Sequence, residues 1–263
     1  MTGSNDMKFS TPFYFLIALI PLGLCAKVCR AEELAATPYR PSASTPAALS
    51  APGWLELELG GQRLKDGDAR RDSIPYTLKL AFTPDWGIRV GGEASIRDRS
   101  ADGSTTTGFG DTSVIAKYRG SISDASAFGI EAGFKYPTAR NELGSGKSDT
   151  LFNFIYSADD GSYHVDVNLA TTRLGAFDNG QSRWRTGWAA ALSNSLNDKW
   201  GVTGEFSGTY QKGAASTLQF LAALSYAANK RTVFDAAVAK GLASAATDVS
   251  LFFGVTFLAA NVW

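Results

Sequence analysis

The chain has 263 residues, with 25 Lys and Arg balanced by 25 Asp and Glu, so no basic block supports nucleic-acid binding. Both cysteines, Cys25 and Cys29, lie near the start, so a chain cleaved after Ala31 holds no disulfide, thiolate metal site or thiol nucleophile. One His and scattered carboxylates lack metal-ligand spacing, so neither a metal nor another cofactor is expected.

Residues 12–26, PFYFLIALIPLGLCA, form an apolar run behind Lys8. The run is shorter than the roughly 20 residues of a membrane-spanning helix. It fits the core of a secretory signal, assigned to residues 1–31, with Ala26 and Ala31 as alternative last residues removed. Leu24, before Cys25, is too large for a lipoprotein signal. Residues 32–53 are rich in Pro, Ala and Ser without apolar periodicity, which predicts a flexible linker or mobile arm. The folded domain is predicted to span 54–263, and no second long apolar run offers a helical membrane span.

From Trp54 onward, twelve segments alternate at period two. The first sets Leu55, Leu57 and Leu59 against Glu56 and Glu58. The second sets Tyr76, Leu78, Leu80 and Phe82 against Thr77, Lys79 and Ala81. The third sets Ile88, Val90, Ala94 and Ile96 against Arg89, Glu93, Ser95 and Arg97. After a polar loop, Val114, Ala116 and Tyr118 oppose Ser113, Lys117 and Arg119, and Phe128, Ile130, Phe134 and Tyr136 oppose Glu131 and Lys135. The sixth segment presents Phe152, Phe154 and Tyr156, and turns at Ala158–Gly161. The seventh sets Tyr163, Val165, Val167 and Leu169 against His164, Asp166, Asn168 and Ala170. The eighth sets Trp184, Trp188 and Leu192 against Arg183, Arg185 and Gly187; the ninth, Val202, Phe206 and Tyr210 against Thr203, Glu205, Ser207 and Thr209. Leu218, Phe220 and Leu224 then oppose Thr217, Gln219 and Ser225, and Phe234 and Val238 oppose Asp235. The last segment has Val249, Leu251, Phe253, Val255 and Phe257 on one face, with Phe252 the exception on the other, and the chain ends in Trp263.

An even strand number, short turns alternating with longer polar loops, and aromatics near strand ends together predict one fold. It is all-β: a transmembrane antiparallel up-and-down barrel of about twelve strands, residing in the bacterial outer membrane. Tyr76, Tyr118, Tyr136, Tyr156, Trp184 and Tyr226 are the expected girdle residues. Phe257 and Trp263 would form the C-terminal signal read by the barrel-assembly machinery. Outer-membrane lipid and lipopolysaccharide are the expected surroundings, with Arg183 and Arg185 as candidate phosphate contacts.

The stretch from Gly108 to Gly175 carries a Gly-x-Gly-Asp strand start at Gly108, Gly110 and Asp111, and a Lys-Tyr pair at Lys117 and Tyr118. A Lys-x-Pro-Thr strand end follows at Lys135, Pro137 and Thr138, then a loop with Gly144, Gly146 and Asp149. It resembles the outer-membrane transporter family associated with the meta pathway of phenol degradation. The resemblance covers about a quarter of the chain and departs at Ala139, where that family's pattern has Gly. It implies a barrel that passes small solutes, aromatic or hydrophobic compounds among them.

The candidate lumen-lining residues are Lys79, Arg89, Glu93, Arg97, Lys117, Arg119, Glu131, Lys135, His164, Asp166, Arg185 and Glu205. Two readings of this balanced set stay open. One is a lined pathway for polar or amphipathic solutes; the other is a lumen filled by ion-paired side chains. A non-transporting surface or structural barrel is the alternative function, and an embedded lipid hydrolase the third. Catalysis is not expected. His164 and Asp166 lie about 7 Å apart along one strand and need not touch, and no Ser is singled out as nucleophile.

Overall fold

The computed structural model describes residues 34–140 and 142–263; the predicted signal segment lies outside them. The strands are β1 (Trp54–Asp66), β2 (Ala69–Ala81), β3 (Trp86–Arg99), β4 (Thr105–Gly108), β5 (Thr112–Ser123), β6 (Ser126–Tyr136) and β7 (Asp149–Asp160). They continue with β8 (Tyr163–Arg173), β9 (Trp184–Ser195), β10 (Trp200–Gln211), β11 (Thr217–Asn229), β12 (Thr232–Gly241) and β13 (Val249–Asn261). Every neighbour pairs antiparallel. β1 joins β13, and β2 pairs with β3, so the sheet closes on itself. β4 is a short strand inside the loop after β3 and pairs only with it, so twelve strands make the wall.

Closure follows from the partition of side chains. Outward residues are large, apolar and exposed: Phe134 is 52% exposed, Leu169 58% and Phe253 66%. Their inward neighbours are polar and covered: Lys117 is 2% exposed, Glu131 and Glu205 0%. That inversion is stable only with hydrocarbon outside, where a closed barrel alone leaves no backbone edge unpaired. Turns at one end are short, such as Gly161–Ser162, where Gly161 takes the positive φ (61°) that a two-residue hairpin demands. At the other end the connections after β3, β6 and β8 are long. By the rule that short turns are periplasmic, the first end faces the periplasm. There Trp86 packs on Tyr118, Tyr118 on Phe128, and Trp200 on Tyr226, while Trp263 stacks over Phe82 at 6.4 Å. These rings form an interfacial belt. Tyr76 is not part of it, being paired with Gly92 in mid-strand.

Two expectations of strand detail are corrected. β7 runs through Asp160, so its turn is not Ala158–Gly161. The register between β2 and β3 slips at Ile74 and Pro75 of β2, leaving Ala94 of β3 as an unpaired extra residue. One extra residue swaps the faces of everything beyond it. Ile96 is therefore buried and Arg97 exposed, the reverse of strict alternation, and Arg97 is not a lumen residue.

Candidate functional site

The lumen is occupied by the protein's own residues 34–53, where a flexible arm was expected. The segment enters beside the turn at Lys230, with Ala36 N–H donating to Lys230 O at 2.8 Å. It climbs to an apex at Arg40–Thr45, then descends to Gly53, whose N–H donates to Ala81 O at 2.9 Å. It forms no strand or helix within the lumen, so each of its backbone groups needs another partner. Inward side chains of the wall provide them.

On the side of β1, β2, β5 and β6 those partners are ionic. Glu56 and Glu58 accept the N–H groups of Thr37 (2.9 Å) and Tyr39 (2.6 Å). Lys79 pairs with both carboxylates and donates to Thr37 O. Tyr39 lies between two ammonium groups, Lys79 at 3.9 Å and Lys117 at 4.3 Å from its ring centroid. Its hydroxyl accepts from Lys117 (3.0 Å) and donates to Ala48 O (2.8 Å). Burial, reinforced by Glu131, pushes the Tyr39 phenol well above its ordinary range, so it stays protonated. Lys117 also donates to Pro46 O and faces Glu131 at 3.8 Å, and Glu131 receives Arg89 at 3.2 Å.

On the side of β7 to β10 the partners are mostly neutral. Ser157 accepts from Ala47 N–H (2.7 Å), and Asn168 both accepts from Thr45 N–H (3.0 Å) and donates to Thr45 O (2.9 Å). The carboxylate that bonds the segment here is Glu205, which accepts from Ala43 N–H (3.0 Å), Ser44 N–H (2.8 Å) and the Ser44 hydroxyl (2.6 Å). Opposite, Arg40 reaches Phe253 O at 3.1 Å and Asp235 at 3.7 Å. It lies over Gly60 and Gly254, where a Cβ would stand 2.3 and 2.6 Å from its guanidinium.

The other predicted lumen residues fall in different places. Glu93 faces inward and pairs with Arg71 at 2.6 Å. Arg119 is half-buried near the periplasmic end, and Arg185 is exposed at the opposite mouth. His164 touches Asp159 (2.7 Å) and Asp166 (3.0 Å), so the two residues whose contact was not required do meet. Ser157 donates to Asp166 at 2.5 Å, and no hydrogen bond joins it to His164, so a nucleophile–base pair is not formed. Arg183, the candidate phosphate contact, lies over the Phe177 ring at 5.0 Å at the loop end.

The family-type motif converges on the long-loop mouth. Lys135 bridges Asp111 and Asp149 at 3.0 Å each and donates to Ser145 at 2.8 Å. Asp111 accepts from Ala139 N–H, Asp149 from Gly175 N–H, and Thr138 donates to Gly110 O at 3.1 Å. Gly144 sits where a Cβ would be 2.7 Å from Asp111, and Gly108 where one would be 2.8 Å from Leu143. These residues staple three loops together.

Space remains on more than one side: about 400 Å³ is open between Arg40–Ala43 and Gln62, Leu64, Leu221 and Phe252 of β1, β11 and β13, and two further cavities lie against the β7–β11 side. One, of about 330 Å³, lies on the long-loop side of the apex, against Ala170, Gly187, Ala189, Ser207 and Gln219, with Ala43 as its floor. The other, about 370 Å³, lies on the periplasmic side of the apex, between Arg40–Ser44 and a wall that includes His164, Ser193, Thr203 and Ser225.

A closed, inside-polar barrel with a segment of its own chain in the lumen has the fold of an outer-membrane channel. The chain belongs to the family described as "Putative MetA-pathway of phenol degradation", whose model matches residues 53–259. No curated protein matches it in sequence. Among solved structures it is similar to the COG4313 outer membrane channel from Pseudomonas putida F1, with 11% identity and a TM-score of 0.64 over 80% of this chain and 97% of that one. It is similar to the KdgM porin in complex with disordered oligogalacturonate (12% identity, TM-score 0.53, 78% and 99% covered). The CymD monoaromatic hydrocarbon channel is a third (8%, TM-score 0.50, 81% and 90%). At these identities the likeness is one of fold. All three are named as channels or porins.

Proposed function

We propose that the protein is an outer-membrane channel for small solutes, aromatic or hydrophobic compounds among them, with its axial path closed in this structure by residues 34–53. One observation carries the reading: cavities lie on both sides of the segment's apex, and two of them, one on each side, lie along the β7–β11 wall. Between them stand hydrogen bonds to Glu205 and Asn168 rather than a packed apolar core. Those to Asn168 exchange with water at a net cost of about 0.5–1.5 kcal/mol, and those to the charged Glu205 at about 1.5–3 kcal/mol. The apex is thus a closure that water can loosen.

Two of the similar channels are named for small solutes, an oligogalacturonate and monoaromatic hydrocarbons, which supports the same class here. Outer-membrane placement is supported by the exposed apolar wall and its aromatic belt. β13, which pairs with β1 to close the barrel, is the strand the assembly machinery would read. Lipopolysaccharide phosphates suit the exposed Arg63, Lys65, Arg70, Arg97 and Arg99 on the outer face of β1–β3, near the long-loop end, better than Arg183.

Planar-bilayer recording tests the reading. Deleting residues 37–48 is expected to convert small or absent conductance into discrete steps, with heat-modifiable gel mobility showing that the barrel is folded. A folded barrel with no added conductance would overturn it.

A further inference from the structure

We propose that the outer face of β1–β3, at the long-loop end, is a docking site for one molecule of lipid A, the bisphosphorylated anchor of lipopolysaccharide. The proposal rests on the outer-membrane placement given above. It goes beyond it by naming the residues, the chemistry of the ligand and its level in the membrane.

Strand pairing gathers the site from three segments. Arg63, Asp72 and Arg97 are register partners across β1, β2 and β3, so they form one row on one face. Lys65, Arg70 and Arg99 form the next row, two residues further from the periplasm. Neighbouring strands lie about 4.8 Å apart and successive rows about 7 Å, so five cations share roughly 10 by 7 Å of backbone with one carboxylate. Asp72 orders two of them: Arg63 donates to it through Nε at 2.7 Å, and Arg70 pairs with it too. Lys65, Arg97 and Arg99 are exposed and have no ion-pair partner among the described residues. Asp98 is on the inward face, paired with Arg71, and Asp66 and Asp68 stand beyond the second row at the hairpin tip.

The level of the patch selects an amphiphile. Leu251 of β13 is the partner of Arg63, and Phe253 is the partner of Gly61 one row nearer the membrane; both are exposed on the lipid face. Ile74, below Asp72, is exposed there as well. The cations thus begin where the apolar band ends, and a ligand with acyl chains beneath its phosphates uses both. The count of cations selects two phosphates. An Arg grips phosphate through two parallel N–H bonds, so about two such forks fill one phosphate, and five cations on two rows suit a pair. Elsewhere at this end the outward faces of β6, β9 and β10 finish on Tyr136, Trp184 and Tyr210, which meet the interface with rings and no charge.

Native mass spectrometry of the folded protein in detergent tests the site, with lipid A, monophosphoryl lipid A and phosphatidylglycerol added in turn. Lipid A is expected to bind one to one, at least tenfold more tightly than either of the others. The combined variant Lys65→Gln, Arg97→Gln, Arg99→Gln removes the three unpaired cations and should lower lipid A affinity tenfold or more while heat-modifiable mobility is retained. Arg97→Gln alone, with a loss of threefold or more, is the second variant should the first not fold. Arg173→Gln, at an exposed outward cation of β8 whose register partners are Thr150 and Trp184, should leave affinity unchanged. Equal binding by wild type and both β1–β3 variants would overturn the site, as would an equal loss with Arg173→Gln. Phosphatidylglycerol matching lipid A, or inorganic phosphate displacing it at equal concentration, would overturn the choice of ligand. Conductance of the chain lacking residues 37–48 is recorded separately. Steps there without lipid A binding sink the site and spare the channel; lipid A binding without steps sinks the channel and spares the site.

Discussion

Around Tyr39, Lys79, Lys117, Glu56, Glu58 and Glu131 of β1, β2, β5 and β6 close on Thr37–Tyr39 and Pro46 and leave only about 10 Å³. On the β7–β11 wall, Ala170, Gly187, Ala189 and Ser207 stand back and leave a cavity. The same segment of chain lies between them, so the difference belongs to the walls. Buried charges must be paired, and pairing holds side chains in one geometry. Small neutral residues demand no partner and tolerate solute or water in place of protein. The ionic cluster around Tyr39 holds the segment without space, whereas beside its apex small neutral residues leave room next to the bonds that hold it.

The comparison breaks most sharply at Lys79. Replacing it with Met strands two buried carboxylates, and we expect a loss of about 3–5 kcal/mol, read as a fall in the urea midpoint of the heat-modifiable band. An unchanged midpoint would mean that the ionic wall does not secure the segment. Glu205→Ala removes three hydrogen bonds at the apex, each worth about 1.5–3 kcal/mol in isolation because the acceptor is charged. Part of that is regained from water, so the expected result is a modest fall in stability with a rise in open-channel events. Ser157→Ala should cost about 2–3 kcal/mol, since it leaves Ala47 N–H unpaired and takes a donor from the buried Asp166 carboxylate. Gly187→Leu should leave stability within about 0.5 kcal/mol, the smallest effect of the set, because it enters space already open. A large loss there would show that the neutral wall is as tightly packed as the ionic one.

The barrel was legible because lipid outside and polar residues inside impose strict period-two alternation, as in Phe128–Tyr136 and Tyr163–Leu169. Arg97 was misplaced because a bulge at Ala94 shifts the faces; the signals for it were Pro75, which sits at the slip on the partner strand, and the Gly91–Gly92 pair just before it. The lumen segment was illegible for a different reason. It docks through hydrogen bonds to backbone groups, which every residue possesses, so Pro, Ala and Ser there carry no pattern. A signal did exist elsewhere: Glu56 and Glu58 both point inward beside a single Lys79, an excess of acceptors that calls for donors from another part of the chain.

The lumen segment rises and descends through the same mouth, and its second limb continues directly into β1. It therefore never threads the barrel and can leave toward the periplasm without unpairing a strand. Being covalently joined, it faces its contacts at an effective concentration in the millimolar range or above for so short a tether. Any solute competing for the same space meets an opponent that cannot diffuse away. Its apparent affinity is the intrinsic one multiplied by the fraction of time the segment is out. Throughput is then set less by how tightly a solute binds than by how often the segment yields.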